Sequence, residues 1–191
     1  RILDALQSVG WADILEPADF GLDPILAVHD KEYLDFLASA WTEWLASAPQ
    51  DPSTLIPATF ALRRTPQKPK SLLGLAGYYI MDLSACIVEG TFPAALASAN
   101  CALSAAQAVG GGERSAFALC RPPGHHAGKD YAGGYCFINN AAVAANWLSS
   151  KGHVAILDVD YHAGNGTQDI FYERDDVMTI SVHADPDFEY P

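Results

Sequence analysis

Apolar residues recur near helical spacing from Leu26 onward. Leu26, Tyr33, Leu34, Leu37, Trp41 and Trp44 line one side of a helix predicted over 26–47. Trp41 and Trp44 on that stripe read as core or interface residues rather than ligand contacts. Residues 49–70 break the pattern. They hold five prolines and the basic residues Arg63, Arg64, Lys68 and Lys70, and read as a long Pro-rich loop. Thr91 then opens an alanine-rich helix, with Pro93 in its first turn and Gly110 to Gly112 as its stop. Ser115–Cys120 (SAFALC) reads as a short buried strand and Cys136–Ser150 as a helix ending near Gly152. Val154–Asp160 is a predicted strand, Gln168–Tyr172 a short helix, and Val177–His183 a further strand. Strand–helix–strand alternation with apolar strands predicts an α/β fold. Its sheet is mainly parallel, with helices on both faces and the active loops at one edge.

Polar residues with chemical potential gather where two of these strands end. HVAILDVD (His153–Asp160) is an apolar run entering acidic residues, as a buried parallel strand does when it reaches a crevice. Side chains alternate along a strand, so Asp158, Asp160 and His162 lean to one side if strand geometry persists to His162. Carboxylate and imidazole donors suit a borderline cation such as Zn²⁺, and the same set accepts Fe²⁺ or Co²⁺. The bland alternative is an Asp-rich strand end that holds a loop by hydrogen bonds. Upstream, SAFALC runs into Arg121-Pro122-Pro123-Gly124 and then His125 and His126. Prolines and glycine make that segment irregular. Histidine titrates near neutral pH, so it can take a proton from water and return one to a leaving amine. A carboxylate behind one ring would set its tautomer, and Asp158 is the candidate. Together the two strand ends point to hydrolysis by a metal-activated water beside a tuned imidazole.

The segments that carry this chemistry resemble the histone deacetylase and acetylpolyamine amidohydrolase superfamily, which has the arginase-type three-layer α/β fold. The resemblance runs through RPPGHHAG (Arg121–Gly128), GGYCFINNAA (Gly133–Ala142), ILDVDYHAGNGTQDIFYE (Ile156–Glu173) and TISVHAD (Thr179–Asp185). VHDKEYLDFL (Val28–Leu37) is similar to the family's early helix, and GYYIMDLSACIVEGTF (Gly77–Phe92) to its bacterial acetylpolyamine members. The resemblance implies Asp160 and His162 as zinc ligands and His126 as general base. It makes His125 the second imidazole, paired with Asp158, and puts Asn165 behind His126, where some members carry Asp. Gly134 and Tyr135 would line the substrate tunnel, with Tyr190 as the opposite aromatic wall. A K⁺ or Na⁺ site would take Asp158, the Asp160 and His162 carbonyls, Ser181 and the Val182 carbonyl. A second would use carbonyls of Phe171, Arg174 and Val177. The family's third zinc ligand and its oxyanion-stabilising Tyr lie farther downstream than Pro191. The 191 residues are therefore expected to form one deacetylase-type domain, incomplete at its C-terminus.

Composition adjusts this picture modestly. Half the residues are hydrophobic and 18% are charged, ordinary values for a globular protein. No apolar run is long enough to span a membrane. The four cysteines, Cys86, Cys101, Cys120 and Cys136, form no C-x-x-C pair; reduced thiols in a cytoplasmic protein are expected. A net charge of −12 disfavours nucleic acid and favours small cationic substrates. The expected reaction is hydrolysis of an acetylated amine, with acetylpolyamine ahead of acetyl-lysine. Asp82 and Glu89 are candidate contacts for a distal ammonium, ordinary surface carboxylates being the alternative. The basic residues of the 49–70 loop suggest a homodimer contact, a solvated loop being the other reading. An arginase-like binuclear hydrolase and a non-catalytic acetyl-amine-binding protein remain as alternatives.

Overall fold

The computed structural model describes residues 2–10, 13–61 and 67–189. In chain order the elements are α1 (Ile2–Val9), α2 (Asp23–Leu26), α3 (Lys31–Ala46), α4 (Leu72–Tyr79) and α5 (Thr91–Gly110). They are followed by α6 (Asn140–Ser149), β1 (Val154–Asp158), α7 (Asn165–Phe171) and β2 (Val177–Ser181). The helix predicted over 26–47 forms as α3 over Lys31–Ala46, and Leu26 instead ends the separate α2. The chain breaks at Ala27–Asp30, where His29 turns inward and the Asp30 N–H donates to Lys129 O at 2.9 Å. A tertiary contact to the loop that carries the histidine pair thus overrides local helical continuity. The rest of the stripe behaves as its spacing predicts: α3 buries Tyr33, Leu34, Phe36, Leu37 and Ala40, and Trp41 and Trp44 pack at the core margin.

Small residues set the packing of α5. Ala95, Ser98, Ala99, Ala102, Leu103 and Ala106 recur at intervals of three and four and form its buried face. Alanines let α6 approach closely with Ala142, Val143 and Ala145. Helix α6 begins at Asn140, later than the predicted Cys136. The Asn139 side chain caps it by accepting from Ala142 N at 3.0 Å, and residues 136–139 are needed for an irregular buried turn. Strands β1 and β2 pair in parallel from Val154↔Val177 to Asp158↔Ser181. Both end two residues before their predicted limits. Helix α7 starts at Asn165, three residues before its predicted start, and ends at Phe171.

Helices α6 and α7 cover one face of this pair. On the other face Leu157, Met178 and Ile180 are exposed. The predicted strand Ser115–Cys120 is not formed as a strand, and it is not buried: Phe117 is 84% exposed. Strand structure needs a neighbouring ladder, and among the described residues no named strand pairs with this segment. The 49–70 loop is better anchored than its composition predicts. Leu55 is fully buried and exchanges two backbone hydrogen bonds with Ile87, at 2.8 and 3.1 Å. Lys68 pairs with Glu32 of α3 at 2.6 Å, so it is committed within the chain. Arg63 and Arg64 lie outside the described residues.

Leu103 has no exposure at the centre of the α5 face. Replacing it with Ala should destabilise the fold by about 2–5 kcal/mol, the usual cost of a large-to-small core change. Urea unfolding should report a lower midpoint with unchanged slope.

Candidate active site

Two loops and one strand end build the candidate site. The irregular segment 121–128 carries His125 and His126, with a cis bond between Arg121 and Pro122. Helix α7 docks beneath it: the N–H groups of Gly166 and Thr167 both donate to His125 O, at 3.0 and 3.2 Å. A Cβ at position 166 would collide with the Ala127 carbonyl, so only glycine permits this approach. Asn139 adds a second tie, donating from Nδ2 to Ala127 O and to Thr167 Oγ1, each at 3.0 Å.

Each histidine has its own partner. His125 Nδ1 lies 2.8 Å from Asp158 Oδ2 at the end of β1. His126 Nδ1 lies 2.7 Å from Asn165 Oδ1 at the start of α7. Both oxygens accept, so each ring carries its proton on Nδ1 and leaves Nε2 free when neutral. The ring centroids are 4.0 Å apart. His126 is buried, and desolvation lowers its pKa; the Asn165 hydrogen bond partly opposes this, and His125 and His162 add to the lowering. A neutral ring with an open Nε2 is the form a general base needs.

Beyond Asp158 the chain leaves strand geometry and enters two successive turns. Asp158 Oδ1 accepts from Asp160 N at 3.0 Å, and Asp160 Oδ1 accepts from His162 N at 2.8 Å. The expected common strand face is therefore replaced by these turns, yet the same residues converge. Asp160 Oδ1 stands 3.3 Å from His162 Nδ1 and 3.8 Å from His125 Nε2. The His126 and His162 rings are 5.8 Å apart. The His162 N–H bond is the main cause that holds the Asp160 carboxyl below its ordinary range, keeping it anionic.

Asp160 and His162 present an oxygen and a nitrogen donor that could hold a cation. Two ligands about 2.0–2.1 Å from a tetrahedral zinc sit about 3.3 Å from each other, which the Asp160–His162 pair matches. Among the described residues no three His, Cys, Asp or Glu side chains form a metal-binding group. Asp158 also meets the other strand end: its carbonyl accepts from Val182 N at 2.9 Å, and it pairs in register with Ser181. Phe171 O accepts from Arg174 N at 3.0 Å, while the Arg174 side chain is held by Asp176, Asn146 and Ser149. Cys136, fully buried nearby, has its thiol pushed up to about 12 by burial, so it is a neutral thiol near neutral pH.

Gly133 and Cys136 close a tight turn, with Cys136 N donating to Gly133 O at 2.7 Å. Both central residues have positive φ, +50° at Gly134 and +66° at Tyr135, the pattern of a type I′ turn. Gly134 is required because a Cβ there would enter the His126 ring. Tyr135 is a bulky residue in the left-handed region, a strain of order 1–3 kcal/mol. Its ring is 65% exposed and walls an open depression of about 700 Å³ lined also by Cys86, Glu89, Arg121 and Phe137. Tyr190 lies outside the described residues. Asp82 is not a free surface carboxylate: its oxygens accept from the N–H groups of Gly134, Ser84 and Ala85.

Sequence reasoning missed His29, whose partners lie 100 and 110 residues away. Its Nδ1 faces Lys129 O at 3.3 Å and its Nε2 accepts from Asn139 N at 3.0 Å. No local pattern carries that pairing. Burial pushes the His29 pKa down to about 4, against the opposing hydrogen bonds from Lys129 and Gly128. The unfolded chain takes up this proton near pH 6.5 and the folded protein only near 4. Between those values the unfolded state binds more protons, so stability is lost as pH falls. The loss attributable to His29 should approach about 3 kcal/mol across that window. Chemical denaturation of the wild type and of His29→Gln at pH 7, 5.5 and 4 should show a gap that narrows toward pH 4.

Comparison with known proteins gives a consistent relationship. A family model described as "Histone deacetylase domain" matches residues 1–191. Acetylpolyamine amidohydrolase 2 of Pseudomonas aeruginosa is 50% identical over 193 residues, covering 100% of this chain and 56% of the relative. The acetylpolyamine amidohydrolase of Mycoplana ramosa is also 50% identical, with the same coverage. The crystal structure of acetylpolyamine aminohydrolase from Burkholderia pseudomallei superposes with a TM-score of 0.93 at 45% identity. That match covers 100% of this chain and 55% of the crystal chain. The chain thus spans a little over half the length of these relatives.

Proposed function

The chain belongs to the histone deacetylase family, and from that premise we propose that the protein is a zinc-dependent amidohydrolase acting on acetylated amines. The observation that carries this reading is the pair of differently held imidazoles beside Asp160 and His162. Asp160 and His162 would hold the metal, with a further ligand from outside the described residues. Zn²⁺ bound there supplies a Lewis acid for the acetyl carbonyl and lowers the pKa of a water. His126 Nε2 takes a proton from the attacking water while Asn165 holds the ring by Nδ1. His125 stands at 4.0 Å, oriented by Asp158, and supports the imidazole that returns a proton to the departing nitrogen. Water adds to the carbonyl carbon, the C–N bond breaks, and acetate and a free amine leave. K⁺ or Na⁺ near Asp158, Ser181 and Val182 would brace the strand ends, and a second ion would sit at the Phe171, Arg174 and Val177 carbonyls.

Small acetylated polyamines are the favoured substrates, with acetyl-lysine in protein second. The names of the 50% identical relatives and the net charge of −12 support this order. Gly134 and Tyr135 would wall the acetylaminoalkyl chain, with Glu89 on the depression beside Tyr135 to attract a distal ammonium. A homodimer across the 49–70 loop would draw on Arg63, Arg64 and Lys70, because Lys68 already pairs with Glu32. A cytoplasmic location accords with the four free cysteines.

In the full-length protein, Asp160→Ala and His162→Ala should each lose most of the bound zinc; unchanged stoichiometry in both would remove the metal assignment. The wild type should show higher kcat/KM for an acetylated putrescine or spermidine than for an acetyl-lysine peptide. That advantage should shrink as salt rises, because charge attraction is screened over about 10 Å at 0.1 M ionic strength. A clear peptide preference at low and high salt would make the protein a protein deacetylase.

A further inference from the structure

Asp82 lies 52 residues before Gly134 in sequence, yet the fold brings them together through a short backbone zipper. Ala132 N donates to Tyr79 O at 2.7 Å, and Met81 N donates to Ala132 O at 2.9 Å. This parallel bridge at Ile80↔Ala132 delivers the residues two further along each segment, Asp82 and Gly134, to the same point. There Asp82 Oδ2 accepts from Gly134 N at 2.7 Å. The other oxygen, Oδ1, accepts from Ser84 N at 2.7 Å and Ala85 N at 3.2 Å. One carboxylate therefore joins two things: the local turn at 82–85 and the turn that presses on His126.

The second turn needs such a hold. Gly134 and Tyr135 both occupy positive φ, and Tyr135 is held there without the freedom of glycine. Its ring is largely solvent-exposed, so side-chain packing does little to fix that backbone. Gly134 has no room to move toward the His126 ring. A charged acceptor on the Gly134 N–H is a strong restraint of the right kind, since charge-assisted hydrogen bonds are roughly twice as strong as neutral ones.

We infer that Asp82 is a positioning residue for the substrate wall: by accepting from Gly134 N it holds the Gly134–Tyr135 turn in its strained conformation beside His126. The inference rests on the deacetylase reading for its consequence in substrate binding, and on the Asp82–Gly134 contact alone for its structural part. His125 and His126 keep their own partners, Asp158 and Asn165, without Asp82. Loss of Asp82 therefore loosens the wall and spares the proton-transfer pair.

Two variants separate this from a purely local role. Asp82→Ala removes both acceptor oxygens. Asp82→Ser leaves a hydroxyl that can maintain the turn to Ser84 but is too short to reach Gly134 as well. In the full-length protein, hydrogen exchange at the Gly134 amide should accelerate about tenfold or more in both variants. The Ser84 amide should stay protected in Asp82→Ser. With an acetylated polyamine, KM should rise about tenfold while kcat changes less than about threefold, the signature of lost binding rather than lost chemistry. Unchanged Gly134 exchange in Asp82→Ser, with KM as in the wild type, would overturn the inference. If the wild type released no acetate from any acetylated amine, the deacetylase reading would fall, and Gly134 exchange would still decide what Asp82 does.

Discussion

The site depends on two neighbouring imidazoles being gripped by different groups. Asp158, a carboxylate, holds His125, and Asn165, a neutral carboxamide, holds His126. The rings lie 4.0 Å apart, too close to be given identical surroundings without competing for charge. A carboxamide orients His126 by the same nitrogen without placing a second negative charge behind it. Desolvation then lowers its pKa and keeps Nε2 available as an acceptor. The two partners come from opposite ends of one connection, the last residue of β1 and the first of α7. The short segment between them carries Asp160 and His162, so the proposed proton-transfer groups and the proposed metal donors share one frame.

Much of the remaining structure serves to keep that frame still. Gly166 and Thr167 donate to His125 O, and Asn139 ties Ala127 to Thr167 while capping α6. His29 reaches Asn139 N from the break between α2 and α3. The alanine face of α5 then seats α6 against the core. A buried neutral histidine is an expensive choice for such a strut in acid, and its benefit is that one ring satisfies both a backbone carbonyl and a backbone N–H.

Local signals were readable in the sequence wherever the physics was local. The alanine stripe between Thr91 and the glycines after it specified α5, and the apolar run before Asp158 specified β1. His125, His126, Asp160 and His162 were legible because they cluster in two short stretches, and their partners Asp158 and Asn165 lie in the second of these. The failures share a cause. SAFALC has strand-like residues, but a strand exists only with a neighbour, and β1 and β2 pair with each other. The Cys136–Asn139 stretch looked helical by composition, while Asn139 caps α6 and the segment before it closes the strained turn. Asp82 looked like a surface carboxylate because one of its partners, Gly134, is 52 residues away.

The most direct test of the account is to remove the base and leave everything that holds the site. His126→Ala in the zinc-loaded full-length protein should lower kcat for acetate release by roughly 10²–10⁴, with zinc content and melting behaviour close to the wild type. Near-normal turnover with metal still bound would contradict the assignment of His126 as the proton acceptor, and with it the meaning given to the Asn165 contact.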